Sequence, residues 1–320
     1  MEDLGDVPRA VRIPCGLGNS SIGADLSARN LPDRPLNGDG HIQSAGTLSL
    51  LIGVHPRVKI TPMAEAARDG KARFSVRVQD YFNYRPRYQL EVVDALRTAC
   101  GLNPADVLAD IGCGTGFSAE PFLRNGNRVI GIEPNQEMRE AGERYLAPYP
   151  NFEMRNGTAE QTGLPDASID FVIAGQAFHW FPLQETRAEF ARIVKPDGWV
   201  VLIWHDRSTD ATAFLRAYEA FLQRYAVDYN EVAHRKVANP EVLGQFFAPQ
   251  ELTLISLHAE QRFDLDGLRG RVVSSSYMPR EGPKYEAMMR ELPDLFSSYA
   301  QNCQVTLEYD TKIFYGHLRA

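Results

Sequence analysis

Apolar residues recur at helical spacing in "YQLEVVDALRTACGL", where Leu90, Val93 and Leu96 share one face and Gly101 closes the element. "DVLADIG" then reads as a buried strand, "SAEPFLRNG" as a helix ended by Gly126, and "RVIGIEP" as a second strand. "NQEMREAGERYLAPY" has Asn135 placed as its N-cap, and "IDFVIAGQA", "ETRAEFARIV" and "GWVVLIWH" continue as strand, helix and strand. Strand and helix alternate. Buried apolar strands joined by amphipathic helices predict an α/β fold with a mostly parallel sheet and helices on both faces. In such a fold a ligand binds beyond the carboxyl ends of the strands.

Residues 1–70 have a different texture. Every Phe, Trp and Tyr falls after Gly70, and these residues show no sustained periodicity apart from "TLSLLIGV". With six prolines and nine glycines they are expected to be a disordered extension, the alternative being a small aromatic-free domain. The organised domain is expected over 71–320, with the functional part opening near Met63.

At 320 residues, 44% hydrophobic and 23% charged, the chain is ample for one large core or two modest ones. A net charge of −7 and a pI near 5.6 disfavour a basic nucleic-acid surface, so the expected partner is a small molecule. No run approaches a membrane span and no secretory leader is legible, which makes a cytoplasmic location the expectation. The four cysteines are too scattered for zinc or a disulfide framework and are expected to be reduced; no metal site is expected.

The first strand-to-helix turn carries the chemistry. In "DIGCGTGF", Gly112, Gly114 and Gly116 remove side chains that would block a ligand from the main chain, while Phe117 stands where the dinucleotide fingerprint needs its third glycine. That spacing argues against a nicotinamide oxidoreductase and for an amino-acid or nucleoside ligand. Glu133 ends the second strand, 21 positions after Gly112, where a carboxylate can accept both hydroxyls of a ribose.

With "DIGCGTG", "GIEPNQEM", "NGTAEQTGLPDASID", "QAFHWF" and "VKPDGWVVLIW" in this order, the chain from Phe74 onward resembles the class I S-adenosylmethionine-dependent methyltransferases. Within them it resembles the small-molecule type 11 group that includes relatives of trans-aconitate methyltransferase. The resemblance implies a Rossmann-like sheet of seven strands whose last runs antiparallel, with "VTLEYDTKIFYGHL" completing it and residues 206–294 covering the substrate. It also implies S-adenosylmethionine as cofactor. Asp110 and the Gly112, Cys113, Gly114, Gly116 loop would line its methionine part, and Glu133 its ribose. Thr158, Ala159 and Glu160 stand where relatives contact the adenine, through Thr158, a backbone group or Glu160. Gln176 and Ala177 would meet the cofactor's amino acid, with Phe178, His179 and Trp180 directed at the methyl group.

Methyl transfer from a sulfonium is an in-line displacement, so the site must align a nucleophile and exclude water. A carboxylate acceptor needs no base, whereas a hydroxyl would gain from one, and His179 has a suitable unperturbed pKa, with Trp180 beside it. His205 is the second candidate base; either histidine can equally be a packing residue. "YFNYRPRY" resembles the group's N-terminal segment over the cofactor, which makes Tyr81, Tyr84 and Arg85 candidates, Arg85 as a clamp for the carboxylate of cofactor or substrate. Tyr277, in "VVSSSYMP", is a substrate-cover candidate. A methyltransferase-like protein that binds the cofactor without turnover has the same sequence signature.

Overall fold

The computed structural model describes residues 83–227, 229 and 240–319. The expectations for residues 1–70, for Met63 and for Tyr81 lie outside the described residues. Helix α1 (Glu91–Cys100) buries Val92, Val93 and Leu96 and stops at Gly101, whose φ of 70° closes it in the left-handed region. Strand β1 (Val107–Ile111), helix α2 (Glu120–Arg124), β2 (Arg128–Ile132) and α3 (Gln136–Leu146) follow. Asn135 caps α3 as expected, its side chain accepting from the Met138 N–H at 2.9 Å. Then come β3 (Phe152–Arg155), β4 (Ile169–Gly175), a single 3-10 turn (Phe178–Trp180), α4 (Leu183–Ile193), β5 (Val194–Arg207) and α5 (Ala213–Tyr225). The chain continues through α6 (Pro240–Phe247), β6 (Thr253–Phe263), α7 (Leu265–Val273), α8 (Gly282–Tyr299) and β7 (Val305–Gly316).

The described strands form one seven-stranded sheet in the order β3-β2-β1-β4-β5-β7-β6. Strands β1 to β5 pair in parallel, as the strand–helix alternation predicts, and β7 lies antiparallel between β5 and β6, as the family resemblance implies. The central strands are buried on both faces: Ala109, Val172, Val200 and Leu202 belong to one apolar cluster and Leu108, Phe171, Val201 and Ile203 to another. That double burial is why these strands read as continuous apolar runs. The interval 206–294 is not purely an insertion, since it contributes β6 to the sheet and ends inside α8. Helices α5, α7 and α8 pack in a third cluster around Tyr218, Phe221, Leu268, Val272 and Met288. Of the cysteines expected to be reduced, Cys100 and Cys113 are free thiols, and Cys15 lies outside the described residues.

Candidate functional site

The carboxyl ends of β1, β2, β4 and β5 open onto a cavity of about 510 Å³ that is closed on its other side by residues of α5, α7 and the segment 85–88. The three loop glycines divide into two kinds. All have positive φ, at 68°, 57° and 85°. A Cβ on Gly112 would meet the Ala177 Cβ at 2.6 Å, and one on Gly116 would strike Leu146. A Cβ on Gly114 would meet only the Met138 Cε, at 3.6 Å. Gly112 and Gly116 are therefore required by the packing of the protein itself, and Gly114 is the glycine whose open side faces the cavity.

Glu133, at the tip of β2, is held by this loop. Its Oε2 accepts the Gly114 N–H at 2.9 Å and its Oε1 the Asn135 N–H at 2.8 Å. The chain's own main-chain donors thus orient the carboxylate before any ligand arrives. Asp110 is fully buried at the end of β1, where its Oδ2 accepts from the Ser118 hydroxyl at 2.6 Å. Burial raises its carboxyl to about 6, against the lowering effect of the hydrogen bonds from Ser118 and Cys113.

Thr158, Ala159 and Glu160 line the cavity from the turn after β3, which the Thr158 and Gln161 main chains close by mutual hydrogen bonds. Gln176 takes φ of 55°, a strained value for a non-glycine residue, with its N–H on the Ile203 carbonyl and its side chain donating to the His205 carbonyl at 3.1 Å. Ala177, His179 and Trp180 also reach the cavity, the two rings lying 4.8 Å apart. Phe178 does not. It is fully buried and packs edge-on against Trp204 and Phe246, because a 3-10 turn sends successive side chains in different directions.

His205, on β5, is the more constrained histidine. Its Nδ1 lies 3.0 Å from the Thr311 hydroxyl, its ring stacks on Tyr88 at 4.4 Å, and its Nε2 is buried with no hydrogen-bond partner among the described residues. Burial, with the positive charge of Arg271, lowers its pKa to about 4. His205 is therefore a neutral imidazole at physiological pH and a weak base.

Most of the residues singled out from sequence converge on this cavity: Gly112, Cys113, Gly114, Glu133, Thr158, Ala159, Glu160, Gln176, Ala177, His179, Trp180, Arg85, His205 and Tyr277. Besides Phe178, three do not line it. Asp110 lies behind Ser118, Gly116 faces Leu146, and the Tyr84 ring packs against Gly270 of α7. Arg85 lines the cavity while its Nη2 donates to the Ser274 carbonyl at 3.0 Å, so one arm of the guanidinium ties this segment to the end of α7.

The sequence reading missed Tyr88, Arg207, Glu219, Tyr229, Arg271 and Tyr309, all of which line the cavity. Tyr88 lay in the quoted "YFNYRPRY", four residues after Tyr84. The others sit in helices and strands whose charged positions resemble solvated faces, and no local pattern sets them apart. Arg207 donates to Glu219, which also accepts from Tyr229 at 2.8 Å, and the guanidinium lies 5.2 Å above the Tyr218 ring.

Comparison with known proteins fits this geometry. Residues 109–202 match the family model described as "Methyltransferase domain", of type 11. An uncharacterized methyltransferase-like protein of Schizosaccharomyces pombe is 29% identical over 156 residues, 48% of this chain and 59% of its own. An uncharacterized methyltransferase of Mycobacterium tuberculosis is 32% identical over 145 residues, 45% of this chain and 57% of its own. The chain thus spans little more than half the length of these relatives. A solved structure described as a putative type II methyltransferase from Anaeromyxobacter dehalogenans superimposes with a TM-score of 0.55 at 24% identity, over 74% of this chain and 99% of that one, and shows the fold. No helix among the described residues is long and apolar enough to cross a membrane. With its loop, sheet order and matched domain taken together, the chain has the class I methyltransferase fold and carries, over residues 109–202, a segment that matches the type 11 methyltransferase domain.

Proposed function

We propose that the protein is an S-adenosylmethionine-dependent methyltransferase acting on a small-molecule acceptor through a hydroxyl or carboxylate oxygen. The observation that carries this reading is the Glu133 carboxylate, locked by the Gly114 and Asn135 amides at the rim of a cavity that Gly114 leaves open. A nucleoside needs that donor–acceptor set, and the residues present fit it: Glu133 for the ribose hydroxyls, the loop backbone for the amino-acid part, and the Thr158 to Glu160 turn for the base. When bound, S-adenosylmethionine supplies an electrophilic methyl on a sulfonium, which the acceptor oxygen takes as the sulfur–carbon bond breaks and sulfur keeps the electron pair.

The chain's contribution is positioning and exclusion of water. Trp180, Phe181 and Tyr88 wall the cavity with rings. His179 is the candidate base for a hydroxyl acceptor; His205, held neutral, serves to hydrogen-bond through Nε2. Titration calorimetry with S-adenosylhomocysteine and with NAD tests the reading. Binding of the first alone supports it, and binding of NAD alone sinks it.

A further inference from the structure

Arg271, on α7, is 5% exposed and lines the cavity. Its Nε donates to the Tyr309 hydroxyl at 3.3 Å and its Nη1 to the Ser275 hydroxyl at 3.0 Å. Among the described residues its Nη2 meets no acceptor and no carboxylate forms an ion pair with it. The neighbouring cation is different, since Arg207 is neutralised by Glu219. Asp206, the next carboxylate on β5, is taken by Lys312.

Guanidinium cannot shed its proton, so Arg271 is a buried charge matched only by hydroxyls. A charge in that situation is costly unless an anion completes it. Nothing in the packing of α7 requires an arginine there, because Leu268 and Val272 supply the apolar contact of that helix. A planar fork with a donor directed away from protein acceptors suits the two oxygens of a carboxylate. One uncompensated positive charge matches one negative charge, which favours a carboxylate over a phosphate dianion.

We propose that Arg271 selects the acceptor by binding its carboxylate within this cavity, so that the substrates of the enzyme are small carboxylate-bearing molecules. The proposal rests on the methyltransferase reading above but concerns a different ligand, and its test is arranged to keep the two apart.

Hexanoate, hexanamide and inorganic phosphate are titrated into the full chain, with and without saturating S-adenosylhomocysteine, and the melting temperature and affinity are read for the wild type, Arg271→Met and Arg271→Lys. The expected result is that hexanoate stabilises the wild type in both conditions while hexanamide and phosphate do not. Arg271→Met should lose hexanoate affinity about tenfold or more, with Arg271→Lys retaining part of it. S-adenosylhomocysteine affinity should be unchanged in both variants, and Arg271→Met should melt no lower than the wild type, since it removes an uncompensated charge. Equal responses to hexanoate and hexanamide in the wild type would overturn the proposal whether or not the variants fold. So would a preference for phosphate, or a several-degree drop in Arg271→Met, which would mark Arg271 as structural. A tenfold loss of S-adenosylhomocysteine affinity in Arg271→Met would assign the guanidinium to the cofactor's carboxylate and also refute it. Failure of S-adenosylhomocysteine to bind the wild type would fall on the methyltransferase reading, while the hexanoate comparison made without it still decides the role of Arg271.

Discussion

Glu133 Oε2 accepts the Gly114 N–H at 2.9 Å, which makes the acid at the tip of β2 and the open glycine of the first loop a single unit. Glu133→Ala removes an acceptor from two main-chain donors as well as from a ligand. S-adenosylhomocysteine affinity should fall by about 2–4 kcal/mol by calorimetry, and Glu133→Gln, which keeps one carbonyl oxygen, should lose less. Equal affinity in wild type and Glu133→Ala would remove Glu133 from the site.

The glycines separate binding from folding. Gly112→Ala and Gly116→Ala should lower the urea midpoint substantially, because the new methyl collides with Ala177 or Leu146 at a positive φ. Gly114→Val should instead lose ligand affinity while paying only the left-handed strain of about 1–2 kcal/mol. If Gly114→Val binds S-adenosylhomocysteine as the wild type does, the open side of that glycine is not where the ligand lies.

Asp110 and His205 give stability opposite slopes with pH. The folded pKa of Asp110 is raised by burial to about 6, so between about pH 4 and 6 the native state holds a proton that the unfolded chain has lost, and stability falls as pH rises. At about 1.4 kcal/mol per pKa unit the effect is about 3 kcal/mol. Comparing wild type with Asp110→Asn by urea denaturation across that window should show the wild type losing ground as pH rises, and parallel curves would refute the assignment.

The folded pKa of His205 is lowered to about 4 by burial and by Arg271, so the unfolded chain binds the extra proton between about pH 4 and 6.5. Stability therefore rises with pH there, again by about 3 kcal/mol. Relative to His205→Asn, the wild type should gain stability as pH rises from 4 to 6.5. A flat difference would mean that the imidazole is more accessible to water than its contacts with Tyr88 and Thr311 imply.

His179 separates a base from a wall. With a hydroxyl acceptor, His179→Gln should lower kcat about 10²-fold or more with cofactor affinity unchanged. A carboxylate acceptor needs no base, and turnover should then survive in His179→Gln and fall in Trp180→Ala.

The central sheet was legible because double burial writes itself as apolar runs, and Asn135 and Gly101 because caps have local chemistry. Strand β3 was not, since Phe152–Arg155 is only half-buried throughout and shows neither a run nor an alternation. Strand β6 alternates half-buried and exposed positions through polar residues such as Ser256, Gln261 and Arg262, a weak signal inside what read as a cover. The loop residues of the site were visible for the same reason as the caps. Arg271 was not: a lone arginine in a helix looks solvated until Tyr309 of β7 and Ser275, just past the end of α7, are seen to enclose it.

The position of β7 also bears on how the chain is made. Residues Val305–Gly316 pair with both β5 and β6, so β6 has no partner, and β5 none beyond β4, until the last described strand has been synthesised. From the completion of β5 until β7 follows, Val200–Trp204, all buried in the finished sheet, present one unpaired apolar edge of the kind that recruits other chains. Tyr309 and Thr311, which hold Arg271 and His205, arrive with that same strand. The surroundings of Arg271 and His205 in the cavity are therefore complete only once β7 is in place.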